Sequence, residues 1–243
     1  LLGELFQYRF EEGDGLIGHS FGNLFIAAMS NVTHSFEQAL VESSHVLAVH
    51  GQVVPSTLAN LSLKVRFADG TRVEGESNIS HHGGKIAEIS IDPVDAPGHP
   101  LAIEAIEDAD LVVIGPGSLY TSILPNLLVP EISAAIKRTS APIVYACNVA
   151  TEVGETQGYA IAEHIETLRH FTFREIADYV IANNAKLNLR PGYPGEAVLD
   201  DGRSVAPARL ELSDISDSER PIRHSSEKLA AAVMNVYRKT RSI

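Results

Sequence analysis

Apolar and polar positions recur at two different periods along this chain, and the changes of period mark its elements. From Ser20 to Met29 the apolar residues Phe21, Leu24, Phe25 and Ala28 fall at helical spacing, which predicts a buried helix after the Gly13-Asp14-Gly15 turn and the Gly18-His19-Ser20 approach. A second helix is predicted from about Ser35 to Ser43, with Ser35 as N-cap and Phe36, Ala39 and Leu40 facing inward. Strand character is expected to begin over His45 to Val49. Between Leu61 and Ile91 the period drops to two. Leu61, Leu63, Val65 and Phe67 alternate with polar partners, and Asp69-Gly70 is a hairpin-turn signal. A further alternating stretch, Lys85 to Ile91, follows the glycine-rich His81-His82-Gly83-Gly84, read as a flexible loop. The Asp92 to Pro100 segment, with three prolines, closes what reads as a small β-rich insertion over residues 61–99.

Beyond Pro100 helical and strand patterns take turns. Leu101 to Glu107 reads as helix, Asp110 to Ile114 as a continuous apolar strand, and a further helix falls between Pro130 and Arg138. Pro142 to Cys147 and Asp178 to Ala182 are the next apolar strands, separated by an amphipathic helix from Gly158 to His170. An alanine-rich helix from Ser225 to Arg238 ends the pattern. Helices alternating with short apolar strands imply a parallel sheet covered on both faces, a three-layer α/β/α arrangement, with the carboxyl ends of the strands facing one cleft.

Length and charge narrow this picture. The 243 residues suit one large domain carrying a smaller insertion. With 31 acidic against 19 basic side chains the formal net charge is -12, which opposes binding to a phosphate backbone, so no nucleic-acid partner is expected. Cys147 is the single cysteine; it excludes an internal disulfide and fits a reducing compartment such as the cytoplasm. No apolar run approaches the ~20 residues of a membrane-spanning helix, so no membrane association is expected. The sequence opens on Leu1-Leu2-Gly3-Glu4 rather than methionine, and it is expected to begin inside a longer polypeptide.

Three strand ends carry donor-rich loops. Gly115-Pro116-Gly117-Ser118-Leu119-Tyr120-Thr121-Ser122 follows the strand ending at Ile114. Glycines there let backbone amides approach a phosphate, and Ser118, Thr121 and Ser122 add hydroxyl donors; the same residues would also serve a tight turn with a helix cap. The loop lacks a Walker lysine and the GxGxxG spacing. After Cys147 come Asn148, Thr151, Glu152, Glu155 and Thr156, which suit sugar or base hydroxyls or simply tie the loop to itself. Asn183-Asn184 forms the third end. His19, Ser20 and Asn23 lie together before a helix, where capping competes with a binding role. His81-His82 has no carboxylate at ligand spacing, and no metal site is expected there. Arg220, Arg223 and His224 are rare positive or protonatable groups just before the last helix; they could meet a phosphate or form surface ion pairs. Cys147 reads as a small buried apolar residue.

Taken together, Gly18-His19-Ser20-Phe21-Gly22-Asn23, Gly75-Glu76-Ser77, the fifteen residues from Gly115 to Val129, Cys147-Asn148 and Gly154-Glu155-Thr156 resemble the gluconeogenesis-factor (YvcK-like) branch of the CofD-like superfamily, which includes 2-phospho-L-lactate transferase. The similarity runs from Leu5 to about His170, with weaker echoes at Asn183 and Arg223. It implies a Rossmann-like fold, a cytoplasmic location, and a regulator of carbon metabolism and cell shape that binds a UDP-sugar such as UDP-N-acetylglucosamine. The ligand residues would be His19, Ser20, Asn23, Gly115, Gly117, Ser118, Thr121, Ser122, Asn148, Thr151, Glu155, Thr156, Asn183 and Arg223. The alternative is a phosphotransferase, which would call for Mg²⁺; no other cofactor is implied, and homo-oligomerisation stays open. Similar proteins begin with a GGGTG strand-loop and a DDGGSSG segment, neither of which precedes Leu1. His50 stands where the family usually has arginine, and Ala150, Glu152 and Val153 replace its usual Met, Gln and Pro.

Overall fold

The structure is a computed structural model and describes residues 2–48, 51–189 and 192–241. The chain divides into two compact units, residues 1–58 and 59–243.

The first unit holds α1 (Leu2–Gln7), α2 (Phe21–Thr33) and α3 (Phe36–Val46). Ser20 and Ser35 are the N-caps of α2 and α3, their hydroxyls accepting the N–H groups of Asn23 and Gln38, both at 3.2 Å. The apolar stripe on α2 is not buried as its spacing predicts. Phe6 meets Phe21 and Phe25 edge-on, yet Gly22 alone among the α2 residues is buried, because the short α1 covers only one end of the stripe. The strand expected from His45 is also absent over His45 and Val46: helical bonding continues through Leu47, whose N–H reaches Ser43 O at 3.0 Å. Val49 and His50 lie outside the described residues.

In the second unit, β1 (Ser62–Phe67), β2 (Arg72–Glu74) and β3 (Ile86–Asp92) make an antiparallel sheet in the order β2-β1-β3. The Asp69-Gly70 turn forms as expected, with Asp69 Oδ1 accepting Thr71 N–H at 2.8 Å. His81 and His82 do not belong to a flexible loop. They end α4 (Glu76–His82), where the His82 ring packs 4.3 Å from that of Phe67, so a ring contact with the end of β1 supports the last turn of the helix.

The apolar runs at 110–114, 142–147 and 178–182 become β4 (Val112–Ile114), β5 (Ile143–Ala146) and β6 (Tyr179–Asn183). A fourth strand, β7 (Arg209–Ser213), completes a parallel sheet in the order β4-β5-β6-β7. All three pairings are parallel and in continuous register, so the four carboxyl ends lie along one edge. β4 is shorter than its apolar run and is an edge strand: Val113 is 41% exposed. The remaining helices are α5 (Pro100–Glu107), α6 (Leu124–Leu127), α7 (Pro130–Arg138), α8 (Ile161–Phe171) and α9 (Ser226–Thr240), with a π-turn at Leu119–Ile123 ahead of α6.

Strand alternation sorts the core into two faces. Ile143, Tyr145, Cys147, Val180 and Ala182 join Ile132 and Ile136 of α7, Ile161, Ile165 and Leu168 of α8, and the buried row Leu63, Val65 and Phe67 of β1. On the other face Val144, Tyr179 and Ile181 pack with Ile215 and, from α9, Leu229, Ala232, Val233 and Val236. This is the Rossmann-like three-layer arrangement. Each fully buried aliphatic side chain in it contributes about 1.5–3 kcal/mol relative to exposure, and the two-sided packing holds the loop-bearing strand ends in place.

Candidate functional site

The site is built on the carboxyl ends of β4, β5 and β6, where ligands of open α/β sheets bind. Gly115 leaves β4 at φ +83, and a Cβ there would come within 3.1 Å of Ala146 O and of Ile123 Cδ1. The positive φ favours glycine at 115, and a Cβ there would press on both neighbours. Gly117 is less constrained, since its Cβ position lies at an ordinary 3.4 Å from Ser122 Cβ.

Ser118 opens the π-turn. Its carbonyl accepts the N–H groups of both Ser122 (3.0 Å) and Ile123 (2.8 Å), and such π features recur at functional sites. Inside the turn the buried Tyr120 shares a 2.7 Å hydroxyl hydrogen bond with Tyr159. Burial first, and then that bond, push the Tyr120 phenol far above its ordinary range, so it stays neutral and acts as an anchor. The anchor fixes the neighbouring Thr121, whose hydroxyl donates to Glu155 Oε1 at 2.9 Å.

The loop after β5 folds on itself. Glu152 N–H donates to Thr156 Oγ1 at 2.9 Å, and Thr156 N–H returns to Glu152 O at 2.9 Å. Thr151 Oγ1 accepts Glu196 N–H at 2.8 Å, while Ala150 and Ala197 form a bridge. The hydroxyls of Thr151 and Thr156 are thus engaged within the protein. Asn183 is engaged likewise: its Oδ1 accepts Ile215 N–H at 3.2 Å and its Nδ2 donates to Ala185 O at 2.7 Å. Asn148 is 8% exposed and makes no side-chain hydrogen bond among the described residues. Cys147 is buried, and burial pushes its thiol up to about 12, so it is a packing residue and not a thiolate.

Two carboxylates face this edge. Glu155 is 5% exposed; its Oε1 accepts from Thr121 and, at 3.0 Å, from Ser80 of α4. Burial raises the pKa of Glu152, and the charge of Glu155 adds to the rise. One oxygen of each, Oε2, is buried without a partner. Among the described residues no three His, Cys, Asp or Glu side chains converge as a metal site.

Beside the loop is a cavity of about 410 Å³ lined by Leu189, Tyr193, Glu219, Arg220, Pro221, Ile222 and Arg223. Tyr193 links it to the strand ends, its hydroxyl donating to Thr151 O at 3.4 Å. Arg223 therefore lies on the same side as the β5 loop. Its neighbour His224 reaches further in, with Nε2 donating to Cys147 O at 3.1 Å, and burial lowers its pKa. A larger open cavity of about 690 Å³ sits at the opposite, amino edge of the sheet, next to Asp110, Pro142 and Asp178, away from the donor-rich loops. His19, Ser20 and Asn23 belong to the first unit, where Ser20 caps α2. Sequence reasoning missed Tyr193, Leu189 and Ser80 as site residues. Tyr193 and Leu189 lie in a loop without periodicity, and Ser80 is brought in from 75 residues away.

Comparison with known proteins identifies the family and the fold. The family profile described as 2-phospho-L-lactate transferase CofD matches residues 1–194. The chain belongs to the CofD family. Within that family it is 36% identical over 98% of its length to the gluconeogenesis factor of Bacillus subtilis, of which it spans 78%. A Nostoc relative given the gluconeogenesis-factor name provisionally is 46% identical over 98% of this chain, which spans only 54% of that protein. The crystal structure of a UPF0052-family protein from Bacillus halodurans superposes with a TM-score of 0.85 at 37% identity, covering 96% of this chain and 78% of that one. No single described helix of this CofD-family chain is long and apolar enough to cross a membrane.

Proposed function

We propose that this chain binds a nucleotide sugar of the UDP-N-acetylglucosamine type, and that it acts as a cytoplasmic regulator of carbon metabolism and cell morphogenesis, a gluconeogenesis factor. The observation that carries the reading is the cavity beside the β5 loop. Its volume falls within the ~300–1,000 Å³ typical of small-molecule sites. An aromatic ring (Tyr193) and apolar walls (Leu189, Pro221, Ile222) suit a base, and two guanidinium groups (Arg220, Arg223) suit a diphosphate. Arginine is the side chain best matched to phosphate oxygens, through paired charge-assisted hydrogen bonds. The Gly117 and Ser118 loop and Asn148 lie on the same sheet edge and suit the sugar end.

The test is calorimetric titration of the full-length protein with UDP-N-acetylglucosamine. A charge-assisted hydrogen bond contributes about 1.5–3 kcal/mol, so Arg223→Ala should weaken binding by about 10-fold or more. Its melting temperature without ligand should barely change. No binding by the wild type, or unchanged affinity in the variant, overturns the reading. Turnover of a nucleotide-activated phosphoryl donor with an alcohol acceptor, lost in the variant, would favour the transferase chemistry named in the family description instead.

A further inference from the structure

Arg220 and Arg223, the two cations of the cavity, ride on a narrow hairpin between β7 and α9. Its legs pair at Ser216 and His224, and Ser225 N–H donates to Ile215 O at 2.9 Å. The tip is closed from within. Asp217 N–H donates to Arg223 O at 2.9 Å, Arg223 N–H donates to Arg220 O at 2.8 Å, and Asp217 Oδ1 accepts the N–H groups of Glu219 and Arg220 at 2.7 and 2.9 Å. These bonds set Arg220 and Arg223 relative to each other. How the pair faces the sheet depends on where the two legs are held.

On the incoming leg, the buried Ile215 donates its N–H to Asn183 Oδ1 at the end of β6 (3.2 Å), and Lys228 holds Asp214 and Ser216. On the outgoing leg the His224 ring reaches 77 residues back to the end of β5, where its Nε2 meets Cys147 O at 3.1 Å. A carbonyl oxygen only accepts, so this nitrogen carries a proton. Two holds, one on each leg and each on a different strand, define how the tip faces the β5 loop. A peptide unit is planar, so the His224 bond also sets the plane that leads from Cys147 into Asn148. His224 itself does not line the cavity, whereas its neighbour Arg223 does.

We infer, resting on the nucleotide-sugar reading above, that His224 is a positioning residue for that ligand: its bond to Cys147 O sets Arg223 against the β5 loop, so that the guanidinium and Asn148 address one molecule from two sides. A role confined to satisfying the Cys147 carbonyl would make His224 matter to stability and leave the affinity of the folded protein unchanged.

The experiment is calorimetric titration of the full-length protein with UDP-N-acetylglucosamine, arranged as a double-mutant cycle with Arg223→Ala. His224→Phe keeps a ring of similar bulk and lacks the donor. His224→Ala is made alongside it, so that either variant shown to be folded by circular dichroism serves, and His224→Gln restores an N–H donor. Loss of the donor should weaken binding by about 5-fold, and His224→Gln should recover most of that loss. In the Arg223→Ala background the same change should have little further effect, since the group it acts through is gone. Unchanged affinity in His224→Phe and His224→Ala overturns the positioning role and leaves the nucleotide-sugar reading standing. Losses that multiply fully across the cycle overturn it too, because His224 then acts without Arg223. No recovery in His224→Gln assigns the effect to ring packing and overturns the role of the bond. Absence of wild-type binding overturns the nucleotide-sugar reading and the positioning role with it.

Discussion

Gly154→Ala should be among the most damaging single-methyl additions in the second unit. Gly154 has φ +83, and a Cβ built on it would stand 2.2 Å from Ser80 O and 3.0 Å from Ser80 C. A left-handed conformation costs an alanine about 1–2 kcal/mol. The overlap is with backbone and cannot be relieved by a rotamer change, so α4 or the β5 loop must move apart. That movement breaks the bond from Ser80 to Glu155, and a hydrogen bond to a charged group is worth about 1.5–3 kcal/mol. The total is about 2.5–5 kcal/mol. Gly158→Ala is the matched control: φ is +74 and nothing lies within 4 Å of its Cβ position, so only the conformational part, about 1–2 kcal/mol, should be lost. The chain has no tryptophan, so urea unfolding is best followed by far-ultraviolet circular dichroism, comparing midpoints at constant slope. Equal losses in the two variants would refute the close approach of α4 to the β5 loop and the argument built on it.

Two further outcomes follow from the core. His164 is fully buried, donates from Nδ1 to Ala160 O at 2.9 Å and has an unpartnered Nε2; burial lowers its pKa from 6.5. The unfolded chain therefore takes up the proton first, so stability is full above about pH 6.5 and declines as pH falls toward the lowered value. His224 is shifted in the same direction; urea midpoints measured from about pH 8 to 5.5 should show the decline, with a smaller slope in His164→Leu. Ile165→Ala, at a side chain with 0% exposure between α8 and the sheet, should cost about 2–5 kcal/mol in the same assay, and a loss below about 1 kcal/mol would contradict the packing assigned to α8.

The sheet was legible because β5 and β6 are buried parallel strands, and with the apolar edge strand β4 they read as short unbroken apolar runs. β7 was not, since Arg209-Leu210-Glu211-Leu212-Ser213 is only partly buried and lacks such a run. Helix caps at Ser20 and Ser35 were readable from local chemistry alone. The α4 helix was hidden by Gly75, Gly83 and Gly84, which flank its seven residues and suggest a loop. At the site, the glycine and hydroxyl content of the strand ends showed where chemistry gathers. It did not show that Thr151, Thr156 and Asn183 would be occupied by backbone partners, or that Thr121 would donate to the Glu155 carboxylate. Those outcomes depend on contacts such as Thr121 with Glu155 and Thr151 with Glu196, over 34 and 45 residues, which no local pattern encodes.

The arm between β7 and α9 has a bearing on how the molecule breathes. It carries Arg220, Arg223 and His224, and it is fastened to the helix by Lys228, which holds Asp214 Oδ2 at 2.7 Å and Ser216 O at 3.0 Å. Along α9 only Val236 is buried, whereas α8 buries five side chains. The helix is therefore the layer with least to lose by lifting, and its departure would uncover Val144, Tyr179 and Ile181 while the opposite face stayed closed. Local openings of this kind lie below the cost of global unfolding. A molecule seated against Arg220 and Arg223, as proposed above, would pin the arm, and mass action would then shift the opening equilibrium toward the closed form. On the proposed reading, filling the cavity and sealing the far face of the sheet would be one equilibrium, read from two ends.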